Sequence, residues 1–209
     1  MATLLYLEAS PRKSRSASIM AAQAFLDAYT TANPNDQIET IDLWTLPLPE
    51  FDGDTIAGKY ALLEGQDQDS QQVQAWREVV ALADRFKAAD KYLFSVPMWN
   101  FSIPYKLKHF IDVVTQPGLT FTFSPTDGYM GLVTGKPATV VYARGGTYPS
   151  DSPAAAMDMQ MPYIQLWLNF IGFQDIRTLA VNPTLGGADT TEQVKADAVA
   201  EAQKLAQEF

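Results

Sequence analysis

The chain has 209 residues, 47% of them hydrophobic and 11% aromatic, which suits one α/β domain with a well-buried core. Its 15 Lys plus Arg stand against 24 Asp plus Glu, and a formal charge of −9 repels phosphate backbones and anionic lipid, which argues against nucleic-acid and membrane partners. With no cysteine and one histidine, disulfides, thiolate catalysis and iron–sulfur ligation are excluded, and a protein-built metal site lacks clustered ligands.

The N-terminal segment has neither the basic flank nor the apolar length of a signal peptide, and no window reaches membrane-spanning length, so a cytoplasmic location is expected. Residues 3–7 form a short apolar run of large side chains, as in a strand buried on both faces. A polar loop at 9–18 follows, after which Ile19, Ala22, Leu26 and Tyr29 recur at helical spacing. Asn33, Pro34, Asn35 and Asp36 end that helix by turn chemistry, and residues 37–43 offer a second strand. Pro47, Pro49, Gly53, Gly58 and Gly65 break any periodicity in 45–70, which reads as an irregular surface excursion with a short helix near 57–63. Val73, Trp76, Val80, Ala83 and Phe86 then predict an amphipathic helix.

Residues 92–96 are the next buried strand, stopped at Pro97. Pro104 suits the first turn of a helix whose apolar face is Leu107, Phe110, Ile111 and Val114. Alternation at 120–123 and turn chemistry at 124–128 predict a small hairpin within 119–133. A fourth core strand is expected at 138–142, a helix at 154–170, a fifth strand at 176–181, and a closing helix at 190–208 with Val194, Ala198, Leu205 and Phe209 inward. Strands alternating with helices imply a doubly wound parallel sheet covered on both faces. Five such strands suit the flavodoxin-like order 2-1-3-4-5. No repeat or linker interrupts the chain, so a single domain over 1–209 is expected.

In such a sheet the ligand lies beyond the carboxyl ends of the strands, where the winding reverses. Here the loops 9–18, 97–103 and 143–150 meet at that edge. The first carries Ser10, Arg12, Ser14, Arg15, Ser16, Ala17 and Ser18 ahead of a helix start. Hydroxyls, amides and the positive helix end make a phosphate receptor, and without Walker or GxGxxG spacing a phosphomonoester such as that of FMN suits it best. Helix-capping serines with solvated arginines are the competing reading. The second loop places Pro97, Met98, Trp99, Asn100 and Phe101 where water reaches them, which costs stability unless something flat packs there. The third sets Gly145 and Gly146 directly after a strand, permitting close backbone approach to a ligand. His109 lies off the apolar face of its helix and is expected at the surface. Tyr163, Trp167 and Phe170 are expected in the core or at a subunit interface.

Four motifs carry a family resemblance: Ser10-Pro-Arg with Ser16-x-Ser18, the run from Pro97 to Asp112, Gly131-Leu-Val-Thr-Gly-Lys136, and Arg144-Gly-Gly146. End to end the chain resembles the FMN-dependent NADH:quinone reductases and azoreductases. The resemblance implies a homodimer with two FMN sites at the interface. It also implies ping-pong hydride transfer from NADH through N5 of FMN to quinones, and reductive cleavage of azo bonds to amines. By position, Ser10, Arg12, Ser16, Ala17 and Ser18 would hold the phosphate end, and Pro97, Met98, Trp99, Asn100 and Phe101 would run along the isoalloxazine. Ala143, Arg144, Gly145, Gly146 and Tyr148 would complete the contacts at the ring, and Phe123 with the partner's Phe170 would line the substrate cavity. Relatives often have tyrosine where this chain has Trp99, so any role of that hydroxyl is absent here. No protein acid or base is required, and no catalytic side chain is assigned. Two rival readings share the fold: a flavin or chromate reductase, and a flavodoxin-type electron carrier, which the acidic charge suits but the 9–18 loop and the hairpin do not.

Overall fold

The computed structural model describes residues 1–67 and 69–209. β1 (Thr3–Glu8), β3 (Lys91–Pro97) and β6 (Ala138–Ala143) form the middle of a five-stranded parallel sheet, flanked by β2 (Gln37–Asp42) and β7 (Ile176–Val181) in the order β2-β1-β3-β6-β7. Among the parallel strands this is the expected order 2-1-3-4-5. Central strands enclosed on both faces need continuous apolar runs, and β6 is buried along its whole length. The edge strand β2 instead keeps only Ile41 fully buried.

α1 (Ala17–Ala32) and α6 (Ala188–Gln207) cover one face of the sheet, burying Phe25, Leu26, Tyr29, Ala198 and Ala202 against Leu4, Leu93 and Val141. α3 (Ser70–Ala88), α4 (Tyr105–Val114) and α5 (Met161–Ile171) cover the other, where Phe86, Phe110 and Trp167 meet Leu5, Phe94 and Val140. Phe209, beyond α6, closes the first core edge-on against Phe25, with centroids 5.3 Å apart.

Several expectations are corrected. The 45–70 stretch is more ordered than its glycines suggest: α2 (Gly53–Leu63) begins at Asp52, whose side chain accepts from the Thr55 amide at 3.1 Å, and buries Ala61. The helix expected over 154–170 divides into a 3₁₀ turn (Pro153–Met157) and α5. Pro162 sits in the first turn of α5, where its missing N–H leaves no helical bond unmade, and Asp158 Oδ1 accepts from the Gln160 and Met161 amides, starting a new helix there. Pro104 caps α4 from just outside it. His109 is half-buried, its Nε2 2.8 Å from the Pro49 carbonyl, because the 45–52 segment folds back over α4. Trp167 belongs to the core as expected and donates to Thr115 Oγ1 at 2.9 Å, while Tyr163 and Phe170 are half-buried.

The hairpin pairs β4 (Phe121–Ser124) with β5 (Gly128–Gly131) and docks on the end of α5. Val133 N donates to Ile171 O at 2.8 Å, and Gly172 closes α5 at φ 118°. Lys136 Nζ donates to the carbonyls of Lys87 and Ala89 at the end of α3. The Gly131–Lys136 motif is thus accounted for by packing. Among the described residues no helix is long and apolar enough to cross a membrane, and no group of three or more His, Asp and Glu could hold a metal ion.

Candidate functional site

A cleft of about 470 Å³ opens beyond the carboxyl ends of β1, β3, β6 and β7. One end is built by the loop after β1. Lys13, at φ 49°, bends that loop back so that its Nζ pairs with Glu8 and, at 2.6 Å, with Asp42. The bend sets Ser10, Arg12, Ser14, Arg15 and Ser16 along the cleft wall ahead of α1. Ser16 occupies the N-cap of α1, yet its hydroxyl makes no capping bond; it lies 3.1 Å from Ser18 Oγ instead. The first turn of α1 carries no acidic residue. Its free amides and positive dipole end therefore face an outside acceptor.

The opposite end is apolar. Trp99 N donates to Ser102 O and Ser102 N to Trp99 O, both at 2.9 Å, closing a turn with Asn100 at φ 46° and Phe101 at φ 70°. Two consecutive left-handed residues are what a type I′ turn requires, but a phenylalanine there is strained. The surroundings hold it: Met98 N donates to Ala143 O at 2.8 Å and Met159 N to Phe101 O at 2.9 Å. Strain held in this way keeps a loop in one shape.

The third loop rests on a buried ion pair. Arg144 is 5% exposed, with Nη1 3.0 Å from Asp158 Oδ2 and Nε donating to Gln160 Oε1 at 3.1 Å. Its guanidinium also lies over the rings of Tyr142 and Tyr148, at 5.5 and 5.6 Å. Gln160 Nε2 donates in turn to Val96 O at 2.9 Å, tying the start of α5 to β3. Burial pushes the Tyr142 hydroxyl pKa well up, against the opposing pull of Arg144, so that phenol stays neutral. Thr184 N and Leu185 N donate to Arg144 O and Gly145 O, at 2.8 and 3.1 Å, bringing the segment after β7 into the wall. A Cβ on Gly145 would stand 2.8 Å from Leu185 Cδ1, so the close approach needs glycine unless Leu185 moves.

Of the residues expected at the site, Ser10, Arg12, Ser16, Ala17, Pro97, Met98, Trp99, Ala143 and Gly145 line this one cleft. Ser18 is buried behind Ser16. Asn100 and Phe101 sit exposed at the tip of their turn, and Asn100 joins Trp99, Tyr105 and Tyr163 around an adjoining depression of about 440 Å³. The Arg144 guanidinium and Tyr148 support the third loop from beneath, leaving Gly146 exposed at its rim. Phe123, 57% exposed on the hairpin, and Phe170, 5.6 Å from Tyr129, are not among the residues lining their own chain's cleft. The sequence reading missed Met20, Thr184, Leu185 and Lys195 as lining residues. Thr184 and Leu185 follow the end of β7 and were open to the strand-end logic used for the other loops; Lys195, inside α6, carries no local signal.

The donor set fits a flavin mononucleotide. Arg12 and Arg15 line the cleft with no carboxylate among its described lining residues, a local positive site in a chain of formal charge −9, and Lys195, paired with Glu192 at 2.7 Å, joins the lining. Three serines and an uncapped helix start at that end suit a phosphomonoester, and Pro97, Met98, Trp99 and Ala143 suit a flat ring.

Comparison with known proteins agrees. A family model described as "Flavodoxin-like fold" matches residues 2–206. An FMN-dependent NADH:quinone oxidoreductase of Desulfotalea psychrophila is 52% identical over 209 residues, covering 100% of this chain and 98% of that protein. Among solved structures, an azoreductase of Bacillus anthracis str. Sterne superposes with a TM-score of 0.92 at 31% identity, covering 100% of both chains. An FMN-dependent NADH-azoreductase of Bacillus anthracis str. Ames Ancestor, in complex with FMN, superposes with a TM-score of 0.86 at 25% identity, covering 99% of this chain and 100% of that one.

Proposed function

The chain belongs to the flavodoxin-like fold family, and from that membership we propose that it is an FMN-dependent NADH:quinone oxidoreductase and azoreductase. The observation that carries the reading is the division of one cleft into a cationic, hydroxyl-rich end and a flat apolar end. When bound, FMN supplies two-electron hydride chemistry, accepting from NADH and passing on to a quinone or an azo bond.

The chain's part is placement. Ser10, Ser16, Arg12 and the first amides of α1 would hold the phosphate, with Ser18 supporting Ser16 from behind at 3.1 Å and Arg15 adding positive charge to the cleft wall. Pro97, Met98 and Trp99 would hold the ring, and the backbone of 143–146, held in place by Arg144 and Tyr148, would supply polar contacts to it. The strained turn at Asn100 and Phe101 fixes the wall before any ligand arrives, which lowers the ordering cost of binding. Among the described residues that line the cleft there is no carboxylate or imidazole, and solvent would supply the protons for the reduced acceptor.

A homodimer is part of this proposal. Phe123, Tyr129, Met130 and Leu132 near the hairpin and Leu166 on α5 are exposed, an apolar surface that suits a second copy. Phe123 and the partner's Phe170 would then line the acceptor space. A cytoplasmic location, supported by the absence of cysteine, and a single unit over 1–209 complete the reading. Steady-state rates with NADH and a quinone varied together test it: parallel double-reciprocal lines are expected, and intersecting lines overturn the shared-site scheme.

A further inference from the structure

Trp44 is absent from the cleft lining, yet it touches two of the loops that build the cleft. Its indole Nε1 donates to the Ala9 carbonyl at 3.0 Å, where the chain leaves β1 for the phosphate end. Its ring lies 5.7 Å from that of Trp99 and meets Tyr105 edge-on at 5.5 Å, and Trp99 and Tyr105 are themselves 6.3 Å apart. Trp44 is held from behind: its amide donates to Asp42 Oδ1 at 3.0 Å, and Asp42 Oδ2 lies 2.6 Å from Lys13 Nζ. A continuous set of contacts thus runs from Lys13 in the phosphate loop through Asp42 and Trp44 to Trp99 in the ring loop. Trp99 in turn is the wall shared by the cleft and the adjoining depression, so its tilt sets the width of the apolar end.

We propose that Trp44 is a positioning residue that locks the phosphate loop and the Trp99 ring in register, and so sets how tightly FMN is held and how wide an acceptor ring is admitted. Phenylalanine at 44 keeps an aromatic ring but has no N–H for Ala9, and alanine loses both interactions. The inference rests on the functional reading above, because the ligand it positions is the one that reading assigns.

The test compares purified holoprotein of the wild type with Trp44→Phe and Trp44→Ala. FMN release on dilution is followed by flavin fluorescence, the bound flavin by visible circular dichroism, and the thermal midpoint of each variant is taken alongside. Loss of the hydrogen bond in Trp44→Phe is expected to weaken FMN by about fivefold. Loss of the ring contacts as well, in Trp44→Ala, is expected to weaken it by roughly thirtyfold. In Trp44→Phe the flavin's dichroism should change with little change in thermal midpoint, and the KM for a fused-ring quinone should move more than kcat. If Trp44→Ala does not fold, Trp44→Phe decides alone. Wild-type affinity and dichroism in Trp44→Phe overturn the inference while leaving the function intact. A wild-type protein that takes up no FMN overturns the functional reading, and this inference with it.

Discussion

The backbone of Gly131 lies directly against that of Gly172: a Cβ built on residue 131 would fall inside the contact shells of Gly172 N and Ile171 C. The obstacle is main chain at the end of α5, which cannot swing aside as a side chain can. Gly131→Ala should therefore cost about 1–3 kcal/mol, as overpacking does. Urea unfolding should show the lowered midpoint with the slope preserved, and a lowered slope would mean that the hairpin has detached from the native state.

Asp158 is what makes the burial of Arg144 tolerable. Asp158→Asn leaves an uncompensated guanidinium beneath the third loop, and a loss of about 3–5 kcal/mol is expected. Removing the cation as well, in Arg144→Met with Asp158→Asn, should restore much of that stability, because the asparagine Oδ1 still accepts from the Gln160 and Met161 amides. A double-mutant cycle by thermal or urea unfolding checks the sign of the coupling.

Acid stability should depend on Asp42. Burial works to raise its pKa, but Lys13, the Trp44 amide and the Thr45 hydroxyl outweigh burial and hold the carboxyl below its ordinary value. Asp36, which accepts from the Ala2 amide and the Tyr29 hydroxyl, is shifted the same way. A depressed folded value means that the ionised groups stabilise the fold above the unfolded carboxylate pKa of about 4, and that this contribution disappears as pH falls through the lower folded value. Asp42→Asn should lower the thermal midpoint at neutral pH and flatten its decline below about pH 4.

Much of this arrangement was legible in the sequence, for physical reasons. Buried parallel strands need unbroken apolar runs, so β1, β3 and β6 announced themselves and brought their loops with them. The phosphate loop and the 97–103 loop stood out because hydroxyls before a helix and aromatics in a loop are both costly without a purpose. Thr184 and Leu185 were within reach of the strand-end logic, whereas Lys195 lines the cleft from inside α6 and Trp44 touches its loops from after β2, placements set by packing between elements distant in the chain. Arg144 misled differently: its place after β6 is right, but its guanidinium turns inward to Asp158, a direction that a linear reading does not specify. His109 likewise looked free on its own helix and is tied to Pro49 from another segment.

The phosphate end makes its own prediction. Arg15→Glu puts a carboxylate into a cleft lined by none, and FMN affinity should fall by about tenfold or more while the fold is unaffected. Fluorescence of FMN released on dilution measures the first, and the thermal unfolding transition the second.

On the proposed function this cleft holds an FMN that NADH reduces without any partner protein. An anaerobic visible spectrum of the purified protein, taken before and after NADH is added, tests it most directly. A yellow protein is expected, whose flavin band bleaches within seconds and returns when a quinone is added. A yellow protein indifferent to NADH would make the chain an electron carrier, and a colourless one that takes up no added FMN would contradict the assignment of the cleft itself.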